Sequence, residues 1–194
     1  MLILHRHVPI ADLHSRCHVR YMDKEIQAEV PDLAEPLLVI FSNRYGLQNA
    51  PLHVKFTDYG YPASQCHLSA KHRARTYGGR RVHGWAVWKF EDFLLAEHHS
   101  VWDDGEQLLD VTPPKFGGDH ILFIRDDVSD LVQMNDIFVM WCDRSTLAQG
   151  KFLFNNQPHH EPNFGLAPDN KVVTSFCEQY GLKATDLLTD PKYG

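Results

Sequence analysis

The chain has few cysteines, and they are far apart. Its four cysteines, Cys17, Cys66, Cys142 and Cys177, are spread over 194 residues without a CxxC pair. A disulfide framework in a secreted protein needs a denser and more regular set. The spacing therefore favours free thiols in a reducing compartment.

Long apolar runs and excess positive charge are also missing. No run approaches the roughly 18 apolar residues that span a bilayer, and the apolar start MLIL is too short for a signal-peptide core. The net charge of −6 argues against nonspecific nucleic-acid binding, which depends on clustered Lys and Arg. The basic run at 71–75 is interpreted as the solvated face of a helix. We expect a cytoplasmic protein that binds neither membranes nor nucleic acid.

The composition is that of a folded protein. With 43% hydrophobic and 23% charged residues, disorder is not expected. The length is enough to bury a proper interior within one domain. We predict a single domain over 1–194, with a core at about 45–127 and elaborations at the N-terminal (1–44) and C-terminal (128–194) ends.

The stretch 79–113 has the pattern of three consecutive strands. An Asp104-Gly105 pair between two alternating runs predicts a tight type I′ hairpin turn. If Asp103 pairs with Glu106, His99 lies directly opposite Asp110 on one face of the sheet. Such partners have Cβ atoms roughly 4.5–5.5 Å apart, so the carboxylate could orient the imidazole.

A helix is predicted to begin near Cys66. Apolar residues recur at helical spacing, and Gly78-Gly79 supplies a terminator; the stripe consists of Cys66, Ala70, Ala74 and Tyr77. Ser64 is the predicted N-cap. Cys66 then lies in the first turn, where unpaired backbone N–H groups favour a thiolate.

A cysteine nucleophile needs a base within hydrogen-bond reach and a group that orients the base. Cys66, His99 and Asp110 supply these roles in chain order. The backbone N–H of Cys66 is the predicted first oxyanion donor, and Gln65 or Gln48 could supply a second.

These residues resemble the papain-like superfamily, and in particular its transglutaminase-like branch. The resemblance is carried by the cysteine on a helix, by Gly84-Trp85, by the segment 99–102 and by the segment 110–113. The stretch 66–126 is also similar to a group of bacterial proteins with GW, HxVW and LLDVTP segments.

The resemblance implies an α+β fold in which the helix carrying Cys66 packs on an antiparallel sheet carrying His99 and Asp110. It also implies thiol-dependent attack on an amide bond. The outcome would be hydrolysis, as in a peptidase, amidase or deamidase, or acyl transfer to an amine. The expected substrate is a peptide, a protein or a small amide, and no cofactor is expected.

Three aromatic or imidazole residues are candidates for the pocket wall. Trp85 and Trp102 are interpreted first as sheet-packing residues, with one of them available to line a cleft. His98 is interpreted as a structural or pocket residue on the face opposite His99. The alternative for Cys66 itself is an inert buried thiol, because free cysteine often packs as a small hydrophobe.

The chain has thirteen histidines, which leaves a non-catalytic alternative. An N-terminal group could bind zinc through nitrogen and sulfur; it consists of His5, His7, His14, Cys17 and His18. Its spacing matches no standard signature, so scattered surface histidines are favoured. The aromatic segment 152–164 could instead form a partner surface, with His159-His160 at a loop tip. A pseudoenzyme that keeps the fold without turnover is a third hypothesis.

Overall fold

The computed structural model describes residues 19–21, 24–91, 93–127, 131–134, 137–140, 144–148, 151–154 and 164–189. The described helices are α1 (Pro36–Tyr45), α2 (Cys66–Tyr77), α3 (Lys171–Tyr180) and α4 (Ala184–Thr189). The described strands are β1 (Val19–Tyr21), β2 (Lys24–Ile26), β3 (Leu52–Phe56), β4 (Arg80–Phe90), β5 (Phe93–Asp103), β6 (Leu108–Asp110), β7 (His120–Arg125), β8 (Leu131–Met134), β9 (Ile137–Met140), β10 (Arg144–Ala148), β11 (Lys151–Phe154) and β12 (Phe164–Leu166). None of these helices is long and apolar enough to cross a membrane.

Five strands close into a small barrel. The order is β5-β4-β7-β3-β6, and β6 returns to pair with β5. All of these pairings are antiparallel except that of β3 with β6, which is parallel. The predicted fold class, a papain-like or transglutaminase-like helix packed on a sheet, is therefore wrong. The closure depends on pairings between strands far apart in the chain, which local periodicity does not report.

Alternate residues of β4 and β5 fill the barrel interior. Val82, Ala86 and Trp88 of β4 pack there with Val101 of β5 and Phe123 of β7. The side chains between them point outwards, where helices cover them, so almost all of β4 is buried. Burial on both faces removes the polar alternation that a half-exposed strand would show.

Helix α1 covers one part of the outer surface. Leu38 and Phe41 pack against Trp85, which points outwards from β4. Pro36 occupies the first turn, where its missing N–H costs nothing. Gly46 ends the helix with a φ of 66°, a conformation that glycine adopts without strain.

Helices α2, α3 and α4 form a second layer outside the barrel. Leu68 and Ala74 of α2 share a buried cluster with Phe176 of α3 and Leu187 of α4. The pattern of 171–180 predicts a helix capped by Asp169 and ended by Gly181. Helix α3 has these bounds, but its N-cap is Asn170, whose side chain accepts from the backbone N–H of Val172. This layer fixes α2, and with it Cys66, against the barrel.

The connection between β5 and β6 differs from the predicted turn. Strand β5 ends at Asp103 and β6 begins at Leu108. The carboxylate of Asp104 accepts hydrogen bonds from the backbone N–H groups of Glu106 and Gln107, both at 2.8 Å. Aspartate commonly stabilises a turn in this way, and Asp104 lacks the positive φ of a type I′ turn. Asp103 therefore pairs with Leu108, not with Glu106.

Candidate active site

The observed register of β5 and β6 differs from the predicted one, but it still leaves His99 and Asp110 on the same face of the sheet. The observed pairing of Trp102 with Leu109 is displaced by two residues from the predicted one, and side chains alternate with a period of two. His99 and Asp110 are thus diagonal neighbours instead of direct partners. The Nε2 atom of His99 lies 3.0 Å from Oδ1 of Asp110 and donates to it.

Asp110 is held rigidly. Its carboxylate is fully buried, and Oδ1 also accepts a hydrogen bond from the backbone N–H of Thr112 at 3.1 Å. The backbone carbonyl of Asp110 accepts from the N–H of Thr57 at 2.8 Å, which ties the end of β6 to the segment that leads to Cys66. A carboxylate fixed in this way can orient the imidazole.

His99 lies beside an interruption in the barrel wall. One edge of β5 pairs with β10 as far as Glu97 and with β6 from Trp102 onwards. Between these two residues, no strand in the described part of the chain pairs with that edge. The His99 side chain is 12% exposed, so the interruption gives solvent a limited approach to the ring.

Cys66 is the first residue of α2 and faces His99. It is 8% exposed, and its thiol is within hydrogen-bonding reach of the His99 side chain. Because Nε2 is used by Asp110, Nδ1 is the nitrogen left for the sulfur. The structure thus brings the three predicted catalytic residues, Cys66, His99 and Asp110, into one site.

The electrostatics of the site favour a charged imidazole. Burial alone disfavours the imidazolium, but the Asp110 carboxylate and Cys66 outweigh it and hold the pKa of His99 well above its usual value. The first N–H groups of a helix have no intrahelical acceptor, and the side chain of Gln65, at the N-cap, does not cap them. A positively charged ring is therefore placed beside the Cys66 sulfur at the N-terminus of α2.

The predicted helix start needs a correction. Ser64 is not the N-cap; Gln65 occupies that position, and Ser64 has a φ of 63°. A left-handed serine stores about 1–2 kcal/mol of local strain. The turn at Ser64 directs the chain into α2 immediately before Cys66.

The two predicted glutamines differ in position. Gln65 precedes Cys66 and is half-buried, and its Oε1 atom has no hydrogen-bond partner among the described residues. The side chain of Gln48 donates to the Gly46 carbonyl at 3.0 Å, within the loop that follows α1. Gln65 is therefore the glutamine placed next to the thiol.

The three pocket candidates lie on the face of the sheet opposite His99. Trp85 is buried beneath α1, and its Nε1 donates to Asp126 at 3.0 Å. His98 packs on Trp85, with ring centroids 3.9 Å apart. Trp102 donates to the Gly78 carbonyl at 2.8 Å. In this structure these three side chains contribute to packing on the outer surface of the barrel.

The residues of the zinc alternative lie outside the described part of the chain; they are His5, His7, His14, Cys17 and His18. His159-His160 and most of the aromatic segment 152–164 lie outside it too. Among the residues that are described, no group of three or more His, Cys, Asp or Glu could hold a metal ion.

Sequence reasoning missed a group of polar residues next to the predicted catalytic residues. His67 follows Cys66 and contacts Ser100, which follows His99, at 2.6 Å. Arg81 reaches the same serine hydroxyl at 3.0 Å. The only sequence signal is that His67 and Ser100 are next to Cys66 and His99 in the chain. This signal becomes informative only after Cys66, His99 and Asp110 have been placed in one site.

Comparisons with known proteins do not identify the site. No family model matches the sequence, and no curated protein or solved structure matches it either. The resemblance to the transglutaminase-like branch therefore stays a prediction.

Proposed function

We propose that this protein is a thiol-dependent enzyme that cleaves an amide bond through Cys66, His99 and Asp110. The observation that carries the proposal is the bridging position of His99, between the Asp110 carboxylate and the Cys66 thiol at a helix N-terminus. A nucleophile, a base and an orienting carboxylate in this order are the parts that acyl transfer through a thioester requires.

The reaction would proceed in two stages. The Cys66 thiolate attacks the amide carbonyl carbon, and the imidazolium of His99 gives its proton to the leaving amine as the carbon–nitrogen bond breaks. Water or a second amine then attacks the thioester while His99 takes its proton. The carbon–sulfur bond breaks, and the thiolate returns. Transfer to water is hydrolysis, and transfer to an amine is acyl transfer.

The oxyanion formed during each attack needs hydrogen-bond donors. The backbone N–H of Cys66 lies in the uncapped first turn of α2, and the amide of Gln65 is the nearest side-chain candidate for a second donor. The substrate class is a peptide, a protein or a small amide. A reducing compartment such as the cytoplasm would keep Cys66, a free cysteine in this structure, in its reactive thiol form.

The test compares the two cysteines that the structure describes. Iodoacetamide alkylation is followed by peptide mapping, which gives separate rates for Cys66 and Cys177 as the pH is varied. Both thiols are buried, with 8% and 4% exposed, but burial raises the pKa of Cys177 and no charged group in the described part of the chain lowers it. We expect Cys66 to react at least about tenfold faster near neutral pH, because the thiolate is the nucleophile.

Two variants test the roles of His99 and Asp110 separately. His99→Ala should bring the Cys66 rate down towards that of Cys177, and 4-nitrophenyl acetate should no longer give a burst with acetylated Cys66. Asp110→Asn should reduce both signals less severely. A wild-type Cys66 that alkylates no faster than Cys177 would refute the proposed function.

A further inference from the structure

Three buried polar side chains form a hydrogen-bonded group that joins α2 to strands β4 and β5 of the barrel. They are His67, Ser100 and Arg81. The Nδ1 atom of His67 lies 2.6 Å from the Ser100 hydroxyl oxygen, and the Nη1 atom of Arg81 lies 3.0 Å from the same oxygen. All three residues are at least nine-tenths buried. Hydrogen bonds in such surroundings restrict geometry strongly, because breaking one leaves a desolvated polar group.

One donor in this hydrogen-bonded group can be assigned from the chemistry of arginine. A guanidinium has no acceptor, so Arg81 donates to Ser100. The serine oxygen keeps its own hydrogen and a second lone pair, so it pairs with Nδ1 of His67 in either tautomer of the ring. Burial, together with His83 and Arg81 nearby, holds the pKa of His67 well below its usual value. His67 is therefore a neutral ring whose Nδ1 is hydrogen-bonded to Ser100.

The sequence positions of the two ends make this contact important for the site. His67 follows Cys66 on the helix, and Ser100 follows His99 on the strand, so the contact is one residue away from both reacting groups. We propose that His67 and Ser100 are positioning residues: their hydrogen bond, supported by Arg81, fixes the separation of the Cys66 sulfur from the His99 ring. This inference rests on the proposed function of the triad.

Loss of this contact should lower the alkylation rate of Cys66 even in protein that remains folded. Without it, the start of α2 can move relative to β5, and a displacement of about 1 Å in an active site can cost on the order of 100-fold in rate. The chain offers a matched control. His72 of α2 has the same 9% exposure as His67, and its Nδ1 atom lies 2.6 Å from the Tyr61 hydroxyl, but it is six residues beyond Cys66.

The experiment measures Cys66 alkylation by iodoacetamide across a range of pH in folded variants. His67→Leu should lower the Cys66 rate near neutral pH at least tenfold and move its pH profile towards that of Cys177. His67→Asn keeps a hydrogen-bonding group near the position of Nδ1 and should recover most of the rate. His72→Leu should change the rate less than about threefold. Effects of this size follow from displacement of the reacting groups.

Ser100→Ala provides a second variant if His67→Leu does not fold, since it removes only the hydroxyl group. It should reduce the rate as His67→Leu does, and the double variant should show no further loss. An unchanged rate in a folded His67→Leu or Ser100→Ala protein, beside a fast wild-type Cys66, would overturn the positioning role alone. A slow wild-type Cys66 would overturn the proposed function as well.

Discussion

At the scale of single residues, His99 is subject to two opposing influences. Burial disfavours the charged ring, while the Asp110 carboxylate and Cys66 favour it and raise the pKa of His99 well above its usual value. The charged ring therefore stabilises the folded state. This contribution is complete below the unfolded-state pKa of about 6.5 and is lost as the pH rises through the higher folded-state pKa.

Asp110→Asn should destabilise the protein in a pH-dependent manner. Without the carboxylate, only Cys66 opposes the effect of burial on His99, so the wild-type advantage in the free energy of unfolding should be larger at about pH 6 than at about pH 9. Urea unfolding curves of both proteins at several pH values measure this difference. A constant difference, or one that grows with pH, would contradict the assignment.

Asp119→Asn is the control for that measurement. Asp119 also pairs with a histidine, His120, at 2.6 Å, but the aspartate side chain is 92% exposed. Solvent screens exposed pairs, and they contribute little to stability. The unfolding free energy of this variant should therefore stay close to that of the wild type across the same pH range.

At the scale of the elements, Gly84 determines how closely β4 and β7 approach beside the site. It pairs with His99 across β4 and β5. A Cβ atom at this position would lie 2.3 Å from the Ile124 carbonyl oxygen and 2.5 Å from the Phe123 ring. The first of these atoms belongs to the backbone of the neighbouring strand and cannot move without distorting the sheet.

Gly84→Ala should therefore destabilise the barrel by about 1–3 kcal/mol or more and lower the Cys66 alkylation rate in the fraction that remains folded. Gly105→Ala is the comparison, because Gly105 has a φ of 100° but open space around its Cα. It should cost about 1 kcal/mol of backbone strain and leave the alkylation rate unchanged. Thermal unfolding and peptide mapping give the two quantities.

The hairpin and α2 also differ in how far local sequence determined them. Gly78, with a φ of 85°, ends α2 at the predicted place, because its conformation is one that other residues avoid. The turn at 104–107 was predicted with the wrong register, since the Asp104 carboxylate competes with a tight turn. The observed register differs from the predicted one by two residues. Because side chains alternate with a period of two, His99 still lies on the predicted face of the sheet.

At the scale of the whole molecule, the C-terminal helices pack against the segment that leads to Cys66. Phe176 of α3 stacks on Tyr61, with centroids 6.1 Å apart and planes 9° apart. Tyr61 belongs to the connection between β3 and α2. Packing by α3 thus restrains the connection that leads to Cys66.

Phe176→Ala should lower the free energy of unfolding by about 3–5 kcal/mol, as expected for a large buried side chain. Val172→Ala, on the same helix but 42% exposed, should change it by less than about 0.5 kcal/mol. Denaturant unfolding measures both variants. If Phe176→Ala lowers the free energy of unfolding no more than Val172→Ala does, the packing of α3 does not stabilise this core.

The sequence by itself determined the candidate chemistry and much of the local structure. The apolar stripe and the glycines after it predicted α2, and the strand pattern placed His99 and Asp110 on one face of adjacent strands. These features depend on neighbours a few residues apart, which periodicity and turn residues report directly.

Only the tertiary structure decided the closed barrel and the surroundings of the triad. The parallel contact of β3 with β6 and the return of β6 to β5 are pairings whose selection depends on packing of the whole chain. The contact of His67 with Ser100 joins residues 33 positions apart. No local pattern encodes such a contact, because its energy is gained only after the helix and the barrel have assembled.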